Sequence, residues 1–369
     1  MAARSQPEVP RRRTVPIRVG NVVIGGGAPI SVQSMAKTDT RNIRATEAEI
    51  RKLEKAGCEI VRLAIPDAEA AAAFGRLKKR TRLPLVADIH FDHRLALACL
   101  DGGADGLRLN PGTIGSREKV REVVRAAKDR AVPIRIGVNA GSLEKDLLAK
   151  YGAATPAAMV QSALRHIRLL EETGFRTIKV SLKASDVFRT VEAYRLLARK
   201  VDYPFHAGMT EAGTLVPGAV KSAVGLAWLL REGLADTIRV SLTAAPVEEV
   251  AVAYHILACL GLRRRGPMIV SCPACGRSEV DLRAIAAEVE RAVAGLEAPL
   301  TVAVMGCAVN GPGEAREADV GLAAGRGAGT IFVRGRPLRR VPEDRLVREL
   351  VREVRRAAKA GKEDPHGRD

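Results

Sequence analysis

Two cysteines, Cys272 and Cys275, lie in the sequence Ser-Cys-Pro-Ala-Cys-Gly-Arg, and a third, Cys307, follows much later in a loop rich in Gly and Pro. Two thiolates three positions apart on a turn can bind one centre, and a third from a distant loop suits an iron-sulfur cluster. A structural zinc site would complete a second ligand pair, but no further Cys or His lies near Cys307. Glu314 is the nearest oxygen ligand for the remaining iron.

The loop after Cys307 contains the pairs Asn310-Gly311 and Pro312-Gly313, which form turns and let backbone N–H groups approach a sulfide closely. A thioredoxin-like dithiol is the main alternative, because the Cys-Pro-Ala-Cys turn stands between a predicted strand at 267–271 and a predicted helix at 278–296. The distant Cys307 and Glu314 favour the cluster.

The elements that position these residues begin with a βα pattern that recurs eight times, each time as a short β-branched run, a polar exit and an amphipathic helical stretch. The predicted strands are 30–35, 59–65, 85–91, 106–110, 134–139, 177–183, 205–210 and 237–243. Thr46 is the predicted N-cap of the first helix, and Gly57 its predicted end. Eight such units predict an α/β fold, a (β/α)8 TIM-type barrel, followed by a small α/β domain that carries the cysteines.

The predicted organisation is a basic tail at 1–15, the barrel at 16–265, the cluster domain at 266–356 and a second tail at 357–369. The run from Arg263 to Pro267 is interpreted as a linker. We expect Arg11, Arg12 and Arg13 to be solvated. In the small domain, strands are predicted at 300–305 and 330–334, with a final helix from about Glu343.

Polar residues recur at every second position of the barrel strands, in the spacing that points side chains inward. They are Arg62, Arg108 and Asn110, Arg135 and Asn139, Lys179, Ser181 and Lys183, His206 and Thr210, and Arg239 and Ser241. An isolated Arg in an apolar strand is costly unless it meets an anion. Pairing with Asp88 or Glu211 could absorb two of the six cations, so an anionic ligand, a diphosphate, is predicted at the barrel mouth. Asp88, His90 and Glu211 add titratable groups there.

Composition narrows the class of function. The chain has 369 residues and a net charge of +18, which suits nucleic acid, an anionic substrate or an acidic protein partner. Only 3% of the residues are aromatic, and no helix-turn-helix or RNA-recognition motif is visible, so nucleic acid is not expected. Nothing resembles a membrane-spanning helix or a secretory signal, and we expect a cytoplasmic protein. Cys58, Cys99 and Cys259 are interpreted as packing residues.

From about residue 16 to about residue 347, the chain resembles the bacterial 4-hydroxy-3-methylbut-2-enyl diphosphate synthase family of the non-mevalonate isoprenoid pathway. The resemblance rests on both cysteine segments together with several barrel motifs. These are Ser31-Val32-Gln33-Ser34-Met35, Ala87-Asp88-Ile89-His90-Phe91, Leu109-Asn110-Pro111-Gly112, Arg135-Ile136-Gly137-Val138-Asn139 and Thr210-Glu211-Ala212-Gly213. The cysteine segments and the Thr-Glu-Ala-Gly run are specific in combination.

The resemblance implies a 4Fe-4S cluster held by Cys272, Cys275, Cys307 and Glu314, and reduction of 2-C-methyl-D-erythritol 2,4-cyclodiphosphate by two electrons with loss of water. The implied diphosphate-binding residues are Arg62, Arg108, Arg135, Asn139, Lys183, Arg239 and Ser241. Glu211 is our candidate for the acid. The resemblance also implies a head-to-tail homodimer, and the positive charge suits flavodoxin or ferredoxin as electron donor. A thiol oxidoreductase on a barrel and a basic RNA-binding protein with a structural metal remain the alternatives.

Overall fold

The computed structural model of this chain describes residues 9–110, 114, 116–307 and 309–363, and the chain divides into two compact units, up to Arg263 and from Arg264. The division falls inside the run of arginines interpreted as a linker. Pro111 and Gly112 of the Leu-Asn-Pro-Gly motif lie outside the described residues, as do the ends of both predicted tails.

The first unit is a nearly closed parallel barrel, which confirms the predicted architecture. A hairpin of β1 (Ile17–Val19) and β2 (Val22–Ile24) precedes it. The barrel strands are β3 (Ser31–Met35), β4 (Ile60–Ile65), β5 (Leu85–Ile89), β6 (Gly106–Leu109), β7 (Ile134–Asn139), β8 (Ile178–Lys183), β9 (His206–Ala207) and β10 (Thr237–Ile238). Neighbours run in the order β8-β7-β6-β5-β4-β3-β10-β9, and a parallel bridge between Val180 and Phe205 joins β8 to the chain entering β9. The strands therefore follow chain order around the barrel.

Nine α-helices are found in the described part of this unit, and those between strands cover the barrel. They are α1 (Ile43–Ala56), α2 (Ala68–Lys78), α3 (His93–Asp101), α4 (Arg117–Asp129), α5 (Lys145–Tyr151), α6 (Pro156–Glu171), α7 (Val187–Ala198), α8 (Leu215–Arg231) and α9 (Pro246–Cys259). The predicted cap at Thr46 is wrong, because α1 begins earlier and the side chain of Asn42 accepts the N–H of Ala45. Gly57 ends α1 in the left-handed conformation, as predicted.

Two arginines of the expected solvated tail are bound to the barrel. Arg11 donates to Asp236 Oδ1 at 3.0 Å, and Arg12 donates to the carbonyl oxygens of Val201 and Tyr203, each at 2.5 Å. The Arg12 guanidinium also lies 4.0 Å from the ring centroid of Phe205. The expectation fails for these two residues because backbone carbonyls between α7 and β9, together with the carboxylate of Asp236, accept hydrogen bonds from their guanidinium groups.

The second unit is a five-stranded sheet in the order β11-β12-β13-β14-β15. Its elements are β11 (Met268–Ser271), α10 (Leu282–Val293), β12 (Thr301–Met305), α11 (Gly311–Glu317), β13 (Val320–Gly325), β14 (Ala328–Val333), β15 (Arg336–Pro342) and α12 (Leu346–Glu363). The strands β11, β12 and β13 are parallel, whereas β14 and β15 are antiparallel to their neighbours. Buried residues of α10 and α12 share one apolar core with the sheet.

Cys58 and Cys99 are buried in the barrel unit, but Cys259 is exposed at the end of α9, so its interpretation as a packing residue is wrong. Its position in the last turn places it on the solvent side. Within residues 9–110, 116–307 and 309–363, no helix is both long enough and apolar enough to cross a membrane.

Candidate functional site

Six cationic side chains point into the barrel, as the alternation along the strands predicts. Arg62, Arg108, Arg135, Lys179 and Lys183 are each at most 9% exposed, and the Arg239 side chain, just after β10, is 12% exposed. Barrel interiors of this type are normally filled by branched apolar residues. Burying so many cations together is unfavourable without anions, so their balance by carboxylates decides what the interior can bind.

Asp88 at the end of β5 balances two of these cations. Its Oδ2 lies 3.5 Å from Arg62 Nε, and its Oδ1 lies 3.1 Å from Arg108 Nη1. Arg108 Nη1 is also 2.8 Å from His90 Nε2. Burial by itself would raise the pKa of Asp88, but the attraction of Arg62, the hydrogen bond with His90 and the attraction of Arg108 hold that pKa well below its usual range.

Arg135, Lys179 and Lys183 have no carboxylate within ion-pair distance among the described residues. Arg135 Nη1 donates to Ser181 Oγ at 3.1 Å, whereas its Nε and Nη2 have no hydrogen-bond partner in the described part of the chain. Burial, followed by repulsion from neighbouring cations, lowers the pKa of both lysines well below the usual range. This side of the barrel therefore carries uncompensated donors suited to an anion.

Two glycines make room for these side chains. A Cβ at Gly137 would lie 2.7 Å from Arg108 Nε, so a side chain there would displace the guanidinium. A Cβ at Gly208 would lie 2.3 Å from the carbonyl oxygen of Arg239 and 3.1 Å from Lys183 Nζ. The close approach of β9 to the residues after β10 thus requires glycine.

Glu249, a buried carboxylate of α9, belongs to this site and is absent from the sequence-based prediction. It is 1% exposed and accepts hydrogen bonds from Ser34 Oγ and the Leu242 N–H, both at 3.0 Å. Lys37 Nζ lies 3.1 Å away, and Arg239 Nη2 lies 3.9 Å away. The sequence does contain a signal for Glu249. It is an acidic residue at a core-facing position of the apolar helix that begins at Pro246.

The remaining predicted residues lie at different depths. Asn110 is buried, Asn139 is half-buried at the last position of β7, and Ser241 is half-buried three residues after the end of β10. His206 is fully buried, and neither ring nitrogen has a hydrogen-bond partner in the described residues. Burial, with Arg135 and Lys183 nearby, lowers the pKa of His206 well below the usual range, so its ring is neutral. The side chain of His90 is 48% exposed.

Glu211 lies in the segment after β9, with an exposed side chain and a backbone φ of +52°. A positive φ is uncommon for a residue other than glycine and occurs often at functional sites. Within the described residues, Glu211 forms no ion pair with a barrel cation, so Asp88 and Glu249 supply the internal compensation instead.

In the second unit, the sheet brings two cysteine loops to one edge. Ser271 of β11 is opposite Val304 of β12, so the chain leaves both parallel strands at the same end. The N–H of Glu279 donates to the Gly306 carbonyl at 3.0 Å, which ties the loop after β11 to the loop after β12. Cys272 is half-buried, Cys275 is exposed and Cys307 is buried.

The Cys307 sulfur is surrounded by backbone donors. The N–H groups of Asn310, Val309 and Gly311, with a smaller contribution from the charge of Arg277, lower the pKa of the Cys307 thiol. Gly311 is the first residue of α11, and Glu314 lies exposed in the first turn of that helix. Donors converging on a thiolate sulfur are the environment that iron-sulfur clusters require.

No three His, Cys, Asp or Glu side chains of the described chain surround a single point as ligands of one metal ion. Thiolates from two loops at one sheet edge, with backbone donors at one sulfur, fit a larger sulfide-containing cluster.

Comparison with known proteins gives matches over both units. The model of the GcpE TIM-barrel domain matches residues 14–254, and that of the GcpE protein C-terminal domain matches residues 268–356. A protein of Geobacter sulfurreducens is 60% identical over 344 residues, which cover 93% of this chain and 98% of that protein. A protein of Thermodesulfovibrio yellowstonii is 58% identical over 348 residues, which cover 94% of this chain and 100% of that protein. Both are named 4-hydroxy-3-methylbut-2-en-1-yl diphosphate synthase (flavodoxin).

Proposed function

This chain belongs to the GcpE family, and we propose that it is the oxidoreductase that converts 2-C-methyl-D-erythritol 2,4-cyclodiphosphate into 4-hydroxy-3-methylbut-2-enyl diphosphate by two-electron reduction and loss of water. The observation that carries the proposal is the charge imbalance inside the barrel. Of the six cations inside the barrel, Arg62 and Arg108 pair with Asp88 and Arg239 pairs with Glu249. The other three have no carboxylate within ion-pair distance among the described residues, so the interior has donors left for a diphosphate.

The barrel residues bind and orient the substrate in this proposal. Two guanidinium nitrogens of Arg135, Nε and Nη2, have no acceptor among the described residues, and Lys183 adds a cation at the end of the neighbouring strand. The proposed substrate-binding set is Arg62, Asp88, His90, Arg108, Asn110, Arg135, Asn139, Lys183, His206, Arg239 and Ser241. Because the diphosphate replaces water around several cations at once, binding fixes the ring relative to the barrel mouth.

We further propose that Cys272, Cys275, Cys307 and Glu314 hold a 4Fe-4S cluster. The lowered pKa of Cys307 supports this assignment, because a thiolate is the ligand form and backbone donors stabilise it. When bound, the cluster supplies electrons one at a time and a Lewis-acidic iron for the departing hydroxyl. The free cysteines suit a reducing, cytoplasmic compartment.

Glu211 is the proposed proton donor for the departing hydroxyl. Its exposed carboxyl stands at the carboxyl end of the barrel, where catalytic groups of this fold gather. We expect Glu211→Gln to lower kcat by about 100-fold and to change substrate affinity little, because the amide keeps the shape and loses the proton. Steady-state kinetics with a chemical reductant measures both quantities, and full turnover by the variant would contradict the assignment.

Flavodoxin is the proposed electron donor, since the relatives carry it in their names, and ferredoxin is the alternative. The head-to-tail homodimer and the predicted domain limits stay predictions. Light scattering of the anaerobic protein tests the dimer.

The proposed function is tested by anaerobic purification, iron and sulfide analysis, and dithionite reduction with and without the cyclic diphosphate. We expect about four irons per chain, an absorption band bleached by dithionite and restored by the substrate, and the linear diphosphate by mass spectrometry. Cys275→Ser is the matched control: it should lose iron but still bind the cyclic diphosphate, since that residue is outside the barrel unit. A colourless protein with one zinc would refute the proposal.

A further inference from the structure

The contacts of Glu249 join three parts of the barrel unit: the end of β3, the start of α9, and residues 239–244, here called the β10 exit. Its Oε1 accepts the N–H of Leu242 at 3.0 Å and lies 3.1 Å from Lys37 Nζ. Its Oε2 accepts from Ser34 Oγ at 3.0 Å and faces Arg239 Nη2 at 3.9 Å. Both oxygens are therefore occupied by donors, two of which are cationic.

Lys37 strengthens the same connection. Its Nζ donates to the Leu242 carbonyl at 2.6 Å and to the Ala244 carbonyl, as well as facing Glu249. Glu249 and Lys37 thus hold the β10 exit from both its N–H and its carbonyl side. With Glu249 only 1% exposed, water cannot take the place of these contacts at low cost.

The β10 exit carries Arg239 and Ser241, two proposed diphosphate-binding residues. It also reaches the segment of the proposed acid, because the Thr243 N–H donates to the Gly213 carbonyl at 2.9 Å. Gly213 is two residues from Glu211. A shift of the β10 exit would therefore move the substrate-binding Arg239 and the segment next to the acid together.

We infer that Glu249 is a positioning residue, which holds Arg239 and the β10 exit in the arrangement that binds the diphosphate of the substrate. This inference rests on the proposed function. A carboxylate in this place attracts the Arg239 guanidinium at 3.9 Å and holds the backbone that carries it through the N–H of Leu242. It also compensates the charges of Arg239 and Lys37 when the barrel is empty.

The test is Glu249→Gln, which keeps the size of the side chain and removes its charge. We expect KM for the cyclic diphosphate to rise about tenfold, with a smaller fall in kcat, because the shift acts directly on Arg239 and only through the Thr243 contact on the segment beside the proposed acid. Calorimetric titration of the cluster-free protein with the cyclic diphosphate should give the same rise in Kd. This second readout does not depend on the loaded enzyme.

Glu59→Gln is the matched control. Glu59 also accepts a strand N–H, that of Val32 at 2.8 Å, and pairs with Arg263 at 2.7 Å, but it precedes β4 at the amino end of the barrel. Its loss should lower the melting temperature and leave KM unchanged. A Glu249→Gln protein with lowered melting temperature and wild-type KM and Kd would show a merely structural role and overturn the inference.

If Glu249→Gln does not fold, Lys37→Met replaces it, since this change removes the cation that joins Glu249 to the β10 exit. We expect KM to rise about threefold, and an unchanged KM would overturn the inference. Failure of the proposed function would look different: the wild-type protein itself would neither bind nor reduce the cyclic diphosphate.

Discussion

At the scale of single residues, the buried charges of the barrel fall into a compensated and an uncompensated group. Asp88 lies between Arg62 and Arg108, whereas two guanidinium nitrogens of Arg135 have no partner among the described residues. The first arrangement stabilises the empty protein and the second is a cost that a bound anion removes. Substitutions at Asp88 and Arg135 should therefore change stability in opposite directions.

We expect Arg135→Met to raise the free energy of unfolding of the substrate-free protein by about 1 kcal/mol and to weaken binding of the cyclic diphosphate by about 100-fold. The apolar side chain ends the repulsion with the neighbouring lysines and removes a phosphate donor. Urea unfolding and calorimetric titration measure the two effects.

Asp88→Asn is the counterpart and should lower the free energy of unfolding by about 3 kcal/mol, because two buried guanidiniums lose their carboxylate. Circular dichroism during urea unfolding measures the free energy of unfolding of Asp88→Asn and of Arg135→Met under the same conditions. Equal destabilisation by both substitutions would mean that Arg135 is compensated after all.

Lys183 gives a prediction for pH. Burial and nearby cations hold its pKa well below the usual range, so between that pKa and the unfolded value of about 10.4 the unfolded chain binds more protons. Its contribution to stability therefore increases with pH across that window. Lys183→Met should be more stable than the wild-type protein at pH 7, with the difference shrinking toward pH 10. Urea midpoints of both proteins without substrate test this, and a difference independent of pH would contradict it.

The sequence predicts inward-facing residues well where a strand is long and its alternation is regular. On β7 and β8, the period of two identifies Arg135, Lys179 and Lys183 because the pleat fixes which side each residue faces. The alternation along strands does not identify Glu249, because this residue lies on a helix and reaches Ser34 and the β10 exit through tertiary contacts. Helical periodicity shows only that such a residue is buried.

At the scale of elements, the eight barrel strands are predicted because each is followed by a helix in a repeating pattern. The predicted ranges 205–210 and 237–243 are too long, since β9 and β10 have two residues each. Four shorter or atypical strands are not predicted. The hairpin of β1 and β2 has three residues per strand, β13 consists of Val, Gly, Leu and Ala, and β15 carries three arginines. β1 and β2 are too short to stand out as periodic runs, whereas the Gly and Ala of β13 and the arginines of β15 have low strand propensity.

The segment before β1 is a bound element rather than a free tail, and Arg12 carries its strongest contacts. We expect Arg12→Ala to lower the free energy of unfolding by about 2 kcal/mol, because two hydrogen bonds and the stacking on Phe205 are lost. KM should not change, since these contacts are made before β9, at the amino end of the barrel. The exposed Arg13 supplies the matched control, and equal effects of Arg12→Ala and Arg13→Ala on urea unfolding would contradict the prediction.

At the scale of the whole molecule, the net charge of +18 acts on any partner that must approach from solution. An acidic electron donor such as flavodoxin would be attracted over a distance that salt shortens, from about 30 Å at 0.01 M to less than about 8 Å above 0.15 M. A small chemical reductant needs no such long-range attraction. We therefore expect kcat/KM for flavodoxin to fall about tenfold between these ionic strengths, while turnover with a reduced viologen, a small monocation, changes little. Parallel assays at matched ionic strengths measure both. If activity declined equally with both donors, the salt effect would lie in substrate binding by the cationic barrel. The positive net charge would then have no part in donor recognition.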